Sequence, residues 1–480
     1  MCAVYLVLDQ GTSSTKVFLF NEQQEIRFSS RLPHHLSYPA PDHVESDPLA
    51  ILEVCFRLIK EALDFARQSG QNVASAGLSV QRSTFLFWDK TTARPLTPAI
   101  SWQDTRAGQE TVELADSAQF IQERTGTPLS AHFGGPKFMH LTRRNPELAQ
   151  KISNGNVLFG PLSAFLSQSL TGEPGVDHSI AGRSLCLNLD TLQWDPELCR
   201  LFGISENDLP PLKPTTGDFG QITINRDTLP LRCVIGDQQA ALLGQGGQSS
   251  GDLVLNYGTS GSVLLNSGDR PGHIPGLISS VLHSSERERR FMIEGTINTC
   301  KSLFDWLEQD LRIPVHRRKW DLTCRETTTA GVLIPGYSGI AAPYWRDRFE
   351  TVLAGIDVTN HDQVLRAAVE SIGFFTYDII ALIRRHLSLT LRNVTASGGI
   401  SRASLLQFVA DLLEVPIGHT RLKDHTALGV CQLLFSDAGI KINNRRFDRL
   451  FLPRMHPDER QRKIEAWHSA LRRAGIEPVI

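Results

Sequence analysis

Three short loops carry residues that could hold a phosphate. The first, Asp9-Gln10-Gly11-Thr12-Ser13-Ser14-Thr15-Lys16, sets a carboxylate, several hydroxyls and a lysine around a glycine. Gly11 permits a turn that most residues resist. Backbone N–H groups and the hydroxyls of Thr12, Ser13 and Ser14 can bind phosphate oxygens, and Lys16 can offset their charge. Asp9 is placed to hold Mg²⁺ through water, because magnesium gives up its waters reluctantly. The second loop, Asn256-Tyr257-Gly258-Thr259-Ser260-Gly261, repeats the pattern with Thr259 as the expected phosphate contact. The third, Ala396-Ser397-Gly398-Gly399-Ile400, places glycines just ahead of a helical stretch, where a phosphate or a flat ligand can approach the backbone. Taken singly, each string is equally an ordinary polar turn. The repetition of the first in the second is what favours phosphate.

A second set of residues could act on a hydroxyl. In Ile235-Gly236-Asp237-Gln238-Gln239-Ala240, a strand delivers an acid at its end, ahead of a small-residue helix. Strand ends are where α/β proteins place reactive groups. Asp237 can accept the proton of an attacking hydroxyl while Gln238 holds another substrate oxygen; a helix cap is the alternative use of the acid. Gln81-Arg82-Ser83-Thr84, together with Trp102-Gln103-Asp104, offers donors and an aromatic wall to a polyhydroxy compound, although Trp102 could equally be structural.

These residues need a frame, and the chain repeats one. VYLVLDQGTSSTKVFLFN near the start and DLVLNYGTSGSVLLNSG from residue 252 each read as two strands joined by a tight Gly-Thr turn. Two such units half a chain apart imply a duplicated domain with a phosphate site between the halves. Elsewhere strands and helices alternate. Ser46 or Asp47 caps a helix with Pro48 in its first turn, and Leu49, Leu52, Cys55, Ile59, Leu63 and Ala66 follow helical spacing along it. A strand is expected over 73–80, a long helix over 364–387 and a shorter one over 405–413. The tail from Asp458 to Ala474 reads as an amphipathic helix packing Ile464, Trp467 and Leu471. The expected division is 1–244 and 245–480, each half mixed α/β.

Composition narrows the partners. The chain has 480 residues, 41% hydrophobic and 21% charged, with a formal net charge of −2, so it is a folded protein with no global pull toward nucleic acid or anionic membrane. Short basic clusters at Arg287 to Arg290 and Arg445 to Arg446 read as solvated helix ends or loops. No stretch approaches the ~18 consecutive apolar residues that cross a bilayer, and the N-terminus reads as a first strand rather than a signal peptide. The eight cysteines are scattered without a C-x-x-C pair, as expected for reduced thiols in the cytoplasm.

In this order, the DQGT start, GLSVQRSTFLFWD, AISWQDTRA, VIGDQQAALLGQ, NYGTSGS, LIPGYSGIAAPYW, SGGISRASLLQFVADLLEVPI and HTALGV resemble the FGGY carbohydrate kinases, and among them the glycerol-phosphorylating branch most closely. The resemblance covers nearly the whole chain. It implies an α/β protein of two actin-like (ribonuclease H-like) domains closing over a cleft, and ATP-dependent phosphorylation of a polyol or sugar hydroxyl with Mg²⁺. By this resemblance Asp237 is the catalytic base and Gln238 its substrate-binding neighbour. Asp9 is the carboxylate associated with the metal. Thr12, Ser13, Ser14, Lys16 and Thr259 meet the nucleotide phosphates, Gly399 lies beside the nucleotide, and Arg82 and Trp102 belong to the acceptor site. Lys16 stands where the glycerol branch usually has arginine.

The departures bear on the acceptor. Ser83 stands where that branch carries Glu, His132 where it has a pocket tyrosine, and Ser262 where it has a phenylalanine. Losing a charge-assisted acceptor and an aromatic implies a larger, more polar pocket, suited to a bigger polyol or ketose. On the nucleotide side Lys301, Asp305, Ser397 and Ala403 also depart, which puts strict ATP preference in question. A homodimer follows by family analogy. The alternative reading is a nucleotide-binding pseudo-kinase or sugar sensor without turnover.

Overall fold

The computed structural model describes residues 3–225, 227–315, 319–346, 348–442 and 447–479. Arg445 and Arg446 lie outside the described residues.

Two sheets with matching strand order organise the chain. In the first half, β1 (Ala3–Gln10), β2 (Ser14–Asn21), β3 (Ile26–Pro33), β4 (Asn72–Val80), β5 (Gln221–Ile224) and β6 (Asp227–Gly236) pair in the order β5-β6-β4-β1-β2-β3. In the second half, β7 (Leu253–Tyr257), β8 (Gly261–Gly268), β9 (Ile278–Ser284), β10 (Arg289–Ile297), β11 (Val394–Ser397), β12 (Ile417–His419) and β13 (Arg449–Phe451) pair as β9-β10-β8-β7-β11-β12-β13. Each sheet is nucleated by an antiparallel hairpin, β1–β2 or β7–β8. Its first strand is then joined on the other side by a parallel neighbour, β4 or β11. The expected duplication is therefore present as a shared topology, that of a pair of actin-like domains. A five-stranded sheet, including Phe85–Asp89 and Val157–Pro161, extends the first half.

Helices cover the sheets. α1 (Pro48–Gln68) begins as the sequence predicts, with the Asp47 carboxylate accepting from the Leu49 N–H and Pro48 in the first turn. Its buried stripe is Ile51, Cys55, Leu58, Ile59, Ala62, Leu63 and Ala66. Leu49, expected on that stripe, is 54% exposed; the buried face is centred on Ile51 and Cys55, and Leu49 lies off its edge in the first turn. α2 (Gly134–Arg144) enters the first half, and α3 (Asp237–Gly244) follows β6 directly. In the second half come α4 (Lys301–Gln309), α5 (His361–His386), α6 (Ala403–Leu413), α7 (His425–Asp437) and the C-terminal α8 (Pro457–Arg473). The last buries Ile464, Trp467 and Leu471 as expected, and Trp467 Nε1 donates to the buried Asp378 carboxylate of α5 at 2.7 Å. Arg287 and Glu288 are an exposed hairpin tip between β9 and β10, and Arg289 and Arg290 open β10 itself.

The halves meet where α3 crosses α7. A Cβ at Gly244 would strike the His425 carbonyl, and one at Gly429 the Ala240 carbonyl, so only glycine lets these helices touch backbone to backbone. Tyr5, Phe18 and Ile235 from the first sheet and Val254, Leu264 and Met292 from the second join both helices in one buried cluster.

Candidate active site

Several of the residues singled out for chemistry sit at or just past strand ends of the two sheets: Asp9, Arg82, Asp237, Thr259 and Gly399; Trp102 and His132 lie on loops of the first half. Asp9 is the penultimate residue of β1. Ser79 on β4, its neighbour across the parallel pair, donates its hydroxyl to Asp9 Oδ1 at 2.7 Å. Burial pushes the Asp9 carboxyl up; the Ser79 hydroxyl and Lys16 pull against this, and the charges of Asp237 and Asp424 add to it. Lys16, cross-strand partner of Asp9, pairs instead with Asp424 at 2.9 Å, just ahead of α7. Asp9 has no ion-pair partner among the described residues, which leaves a partly buried anionic position next to two further aspartates. That donor set fits a divalent cation. Among the described residues no three His, Cys, Asp or Glu side chains close around one point, so protein groups alone would not complete a coordination shell. Magnesium commonly keeps its waters and takes substrate phosphates as ligands in such a site.

The residues expected on the acceptor side are interlocked. Arg82, just past β4, reaches both halves: its Nε lies 3.4 Å from Asp237 Oδ1, and its Nη1 and Nη2 donate to Glu294 on β10 at 2.8 and 3.0 Å. Arg183 adds a third bond to Glu294 at 2.7 Å. Burial alone would raise the Glu294 carboxyl, but the two guanidiniums overrule it and hold it at about 2. Asp237 opens α3, with Gly236 as the cap, and its Oδ1 accepts from the Gln238 N–H at 2.8 Å. Burial raises the proton affinity of Asp237, the Arg82 charge lowers it, and the net shift is upward. Trp102 is 42% exposed. Its Nε1 donates to Thr12 Oγ1 at 3.0 Å, and its carbonyl lies 2.8 Å from His132 Nδ1. The aromatic wall and the first phosphate loop are thereby one structure. Ser83 is buried at a positive φ of 62°.

The phosphate loops are both hairpin turns, as read from the sequence. Around the first, the Gly11 N–H donates to the Ser14 carbonyl at 3.0 Å, which leaves Thr12 and Ser13 at the turn; Ser14 begins β2 and is buried. The second is fastened to α4 by its backbone. The N–H groups of Cys300 and Ser302 reach the Thr259 carbonyl at 3.3 Å each, and that of Lys301 reaches the Gly258 carbonyl at 3.0 Å. At the third, Gly398 has φ +103° and its missing Cβ clears the Tyr257 backbone, while Gly399 faces open space.

A cleft of about 530 Å³ begins at Gln238 and runs past Asn256 and the Ser397–Gly399 turn to Arg402, Arg421 and Lys423. Its cationic far wall suits a polyphosphate. Gln238, expected beside the acceptor, opens onto this cleft and so stands between the two ligand sides.

Sequence reasoning missed Glu294, Arg183, Asp424, Arg402 and Arg421. A signal existed for Glu294, a lone acid inside the apolar strand run Phe291 to Ile297. The others carry no local pattern.

Known proteins share this two-domain fold. The N-terminal domain of the FGGY family of carbohydrate kinases matches residues 4–244, and its C-terminal domain matches residues 253–436. A glycerol kinase from Thermus brockianus is 33% identical over 485 residues, covering 98% of each chain. A crystal structure of Plasmodium falciparum glycerol kinase with ADP superposes with a TM-score of 0.93 at 28% identity, covering 99% of each chain. A gluconate kinase from Lactobacillus acidophilus shares the fold, with a TM-score of 0.88 at 20% identity and 98% coverage of both chains.

Proposed function

This chain belongs to the FGGY family of carbohydrate kinases, and we propose that Asp237 is its general base, acting between an acceptor held by Arg82 and a nucleotide held by the three glycine turns. The enzyme transfers the terminal phosphate of ATP to a hydroxyl of a small polyol or sugar. The observation that carries the assignment of roles is the pairing of Asp237 with Arg82, 3.4 Å apart, just past the ends of β6 and β4, with Gln238, the next residue of α3, lining the cleft.

The acceptor hydroxyl gives its proton to Asp237 as its oxygen bonds the γ-phosphorus. The bond from that phosphorus to the β-bridging oxygen breaks, and ADP leaves. Raised proton affinity makes Asp237 a stronger base than an exposed carboxylate. Thr12, Ser13, Ser14 and Thr259 orient the phosphates, Lys16 offsets their charge, and Gly399 makes room for the nucleotide. Arg82, Ser83, Trp102, His132 and Gln238 bind and orient the acceptor. Asp9 would hold Mg²⁺, which when bound supplies positive charge against the β- and γ-phosphate oxygens. Because phosphoryl transfer is loose, positioning and charge supply most of the acceleration.

Ser83 and Ser262 are small polar residues where the resemblance sets a carboxylate and an aromatic ring, and this supports an acceptor larger than glycerol. On the same reading, residues 1–244 carry the acceptor, the first loop and the base, and residues 245–480 carry the nucleotide. The reading also takes the enzyme as cytoplasmic and homodimeric. Among the described residues no helix is long and apolar enough to cross a membrane, and Cys55, Cys186, Cys199, Cys233, Cys300 and Cys324 are buried thiols, which fits a reducing compartment. Nothing supports a sensor without turnover.

The test is ADP release with Mg-ATP against glycerol, erythritol, xylitol, xylulose and gluconate, with Asp237→Asn as the blank. Turnover of a larger acceptor above glycerol is expected. Glycerol as the best acceptor would overturn the enlarged pocket, and near-normal turnover by the variant would overturn the base.

A further inference from the structure

The segment from His132 to Lys137 grips the acceptor side at three backbone carbonyls. His132 Nδ1 lies 2.8 Å from the Trp102 carbonyl oxygen, and Lys137 Nζ donates to the carbonyls of Ser101 at 2.7 Å and Ser83 at 2.9 Å. Those carbonyls belong to two separate loops, one leaving β4 and one carrying Trp102. Ser83 is held in the left-handed region, which serine seldom adopts unaided. Lys137 itself is wholly buried (0% exposed) and makes no ion pair among the described residues. It reaches this position because α2 starts with two glycines: a Cβ at Gly134 would lie 2.7 Å from the Phe85 ring, and one at Gly135 2.7 Å from that of Phe202. A buried cation satisfied by two carbonyls is a costly way to pack a helix. What it secures is the spacing of two loops.

We propose that Lys137 is a positioning residue for the acceptor: its buried ammonium fixes the Ser83 and Trp102 loops relative to each other, so that acceptor affinity depends on its charge. The inference rests on the assignment of Ser83, Trp102 and His132 to the acceptor. Burial brings the Lys137 ammonium down to about 7, opposed by the charge of Asp104 and helped by that of Arg106. Around it stand Asp104, already engaged by Arg106 at 2.9 and 3.0 Å, Arg106 itself and His132. As pH rises through neutrality the ammonium becomes an amine, and its two charge-assisted hydrogen bonds become neutral ones of roughly half the strength. The loops loosen, while the Thr259 and Gly399 turns of the nucleotide side, which share no hydrogen bond with Lys137, do not.

The experiment uses the full-length enzyme with the fastest acceptor of the panel above. Lys137→Met is expected to raise the acceptor KM by roughly 10-fold, with kcat and the ATP KM within about threefold of wild type, the signature of lost acceptor binding. Trp102→Ala should raise the acceptor KM as well. In the wild type the acceptor KM should climb severalfold between about pH 6.5 and 8.5 while the ATP KM stays flat, and that slope should vanish in Lys137→Met. An acceptor KM unchanged by Lys137→Met but raised by Trp102→Ala overturns the lysine's role and leaves the acceptor wall in place. If neither substitution moves it, both assignments fall. Should Lys137→Met not fold, the wild-type profile decides: a flat acceptor KM overturns the proposal and a rising one supports it.

Discussion

The two hairpin turns occupy equivalent places in their sheets and are chemically unlike. At the first, Asp9 faces Lys16 across the hairpin; at the second, Asn256 faces Ser262. The difference continues along the neighbouring strands. Ser79 on β4 pairs with Asp9, and Ser397 on β11 pairs with Asn256. Three residues past Ser79 the chain presents Arg82, whereas directly after Ser397 it presents two glycines. β6 delivers Asp237 directly after its last residue, while β12 runs out toward Thr420 and Arg421. On the proposed reading, the charged copy acts on the hydroxyl and would hold the metal, and the copy with glycines beside its second turn admits the nucleotide against bare backbone. Duplication supplies the frame twice, and the residues at three strand ends decide what each copy does.

That contrast can be broken by experiment. Asp237→Asn removes the base from the charged copy and should lower kcat by ~10²- to 10⁴-fold, while calorimetry finds ADP binding nearly unchanged. Glu294→Gln removes the carboxylate that Arg82 and Arg183 share. It takes from the buried Arg183 its carboxylate partner and leaves Arg82 with Asp237 alone, and should cost ~3–5 kcal/mol in denaturant unfolding. Its pH dependence has a definite sign. The Glu294 carboxyl is held at about 2, below its unfolded value, so its contribution is present above ~4.3 and is lost as pH falls toward 2. The wild type should lose stability through that window more steeply than the variant. Asp9→Asn makes the first turn resemble the second; kcat should fall roughly 10²-fold and the Mg²⁺ concentration for half-maximal rate should rise. The reciprocal Asn256→Asp should not restore it, since Lys16 has no counterpart at Ser262. Gly429→Ala leaves both turns intact and separates the copies, and should cost ~1–3 kcal/mol by thermal melting.

Legibility in the sequence followed the range of the contact. Asp9, Arg82, Asp237, Thr259 and Gly399 sit at turns whose glycines, hydroxyls and strand ends are local signals, and both hairpins and the long helices α1 and α5 were readable from periodicity. Glu294 meets Arg82 from 212 positions away and Lys16 meets Asp424 from 408; no window of sequence holds both members of either pair. Nothing local singles out Lys137, because the glycines that sink it, Gly134 and Gly135, act through Phe85 and Phe202 brought near by the fold. Leu49 shows the opposite failure: a loose apolar spacing takes it into the stripe of α1, yet it lies off the edge of the face centred on Ile51 and Cys55 and is exposed.

The glycine crossing of α3 and α7 also has the geometry of a fulcrum. Asp237 is the first residue of α3, and that helix meets α7 at Ala240 and Gly244, so the carboxylate stands about 5–10 Å along the helix from the contact. A rotation of roughly 10° between the halves about that contact would carry Asp237, together with Arg82 of the same half, through about 1–2 Å relative to the second half, the scale that separates a bonded distance from an open one. A short, stiff arm pivoting on two absent side chains would thus convert a small change of angle between the halves into an on-or-off condition for phosphoryl transfer.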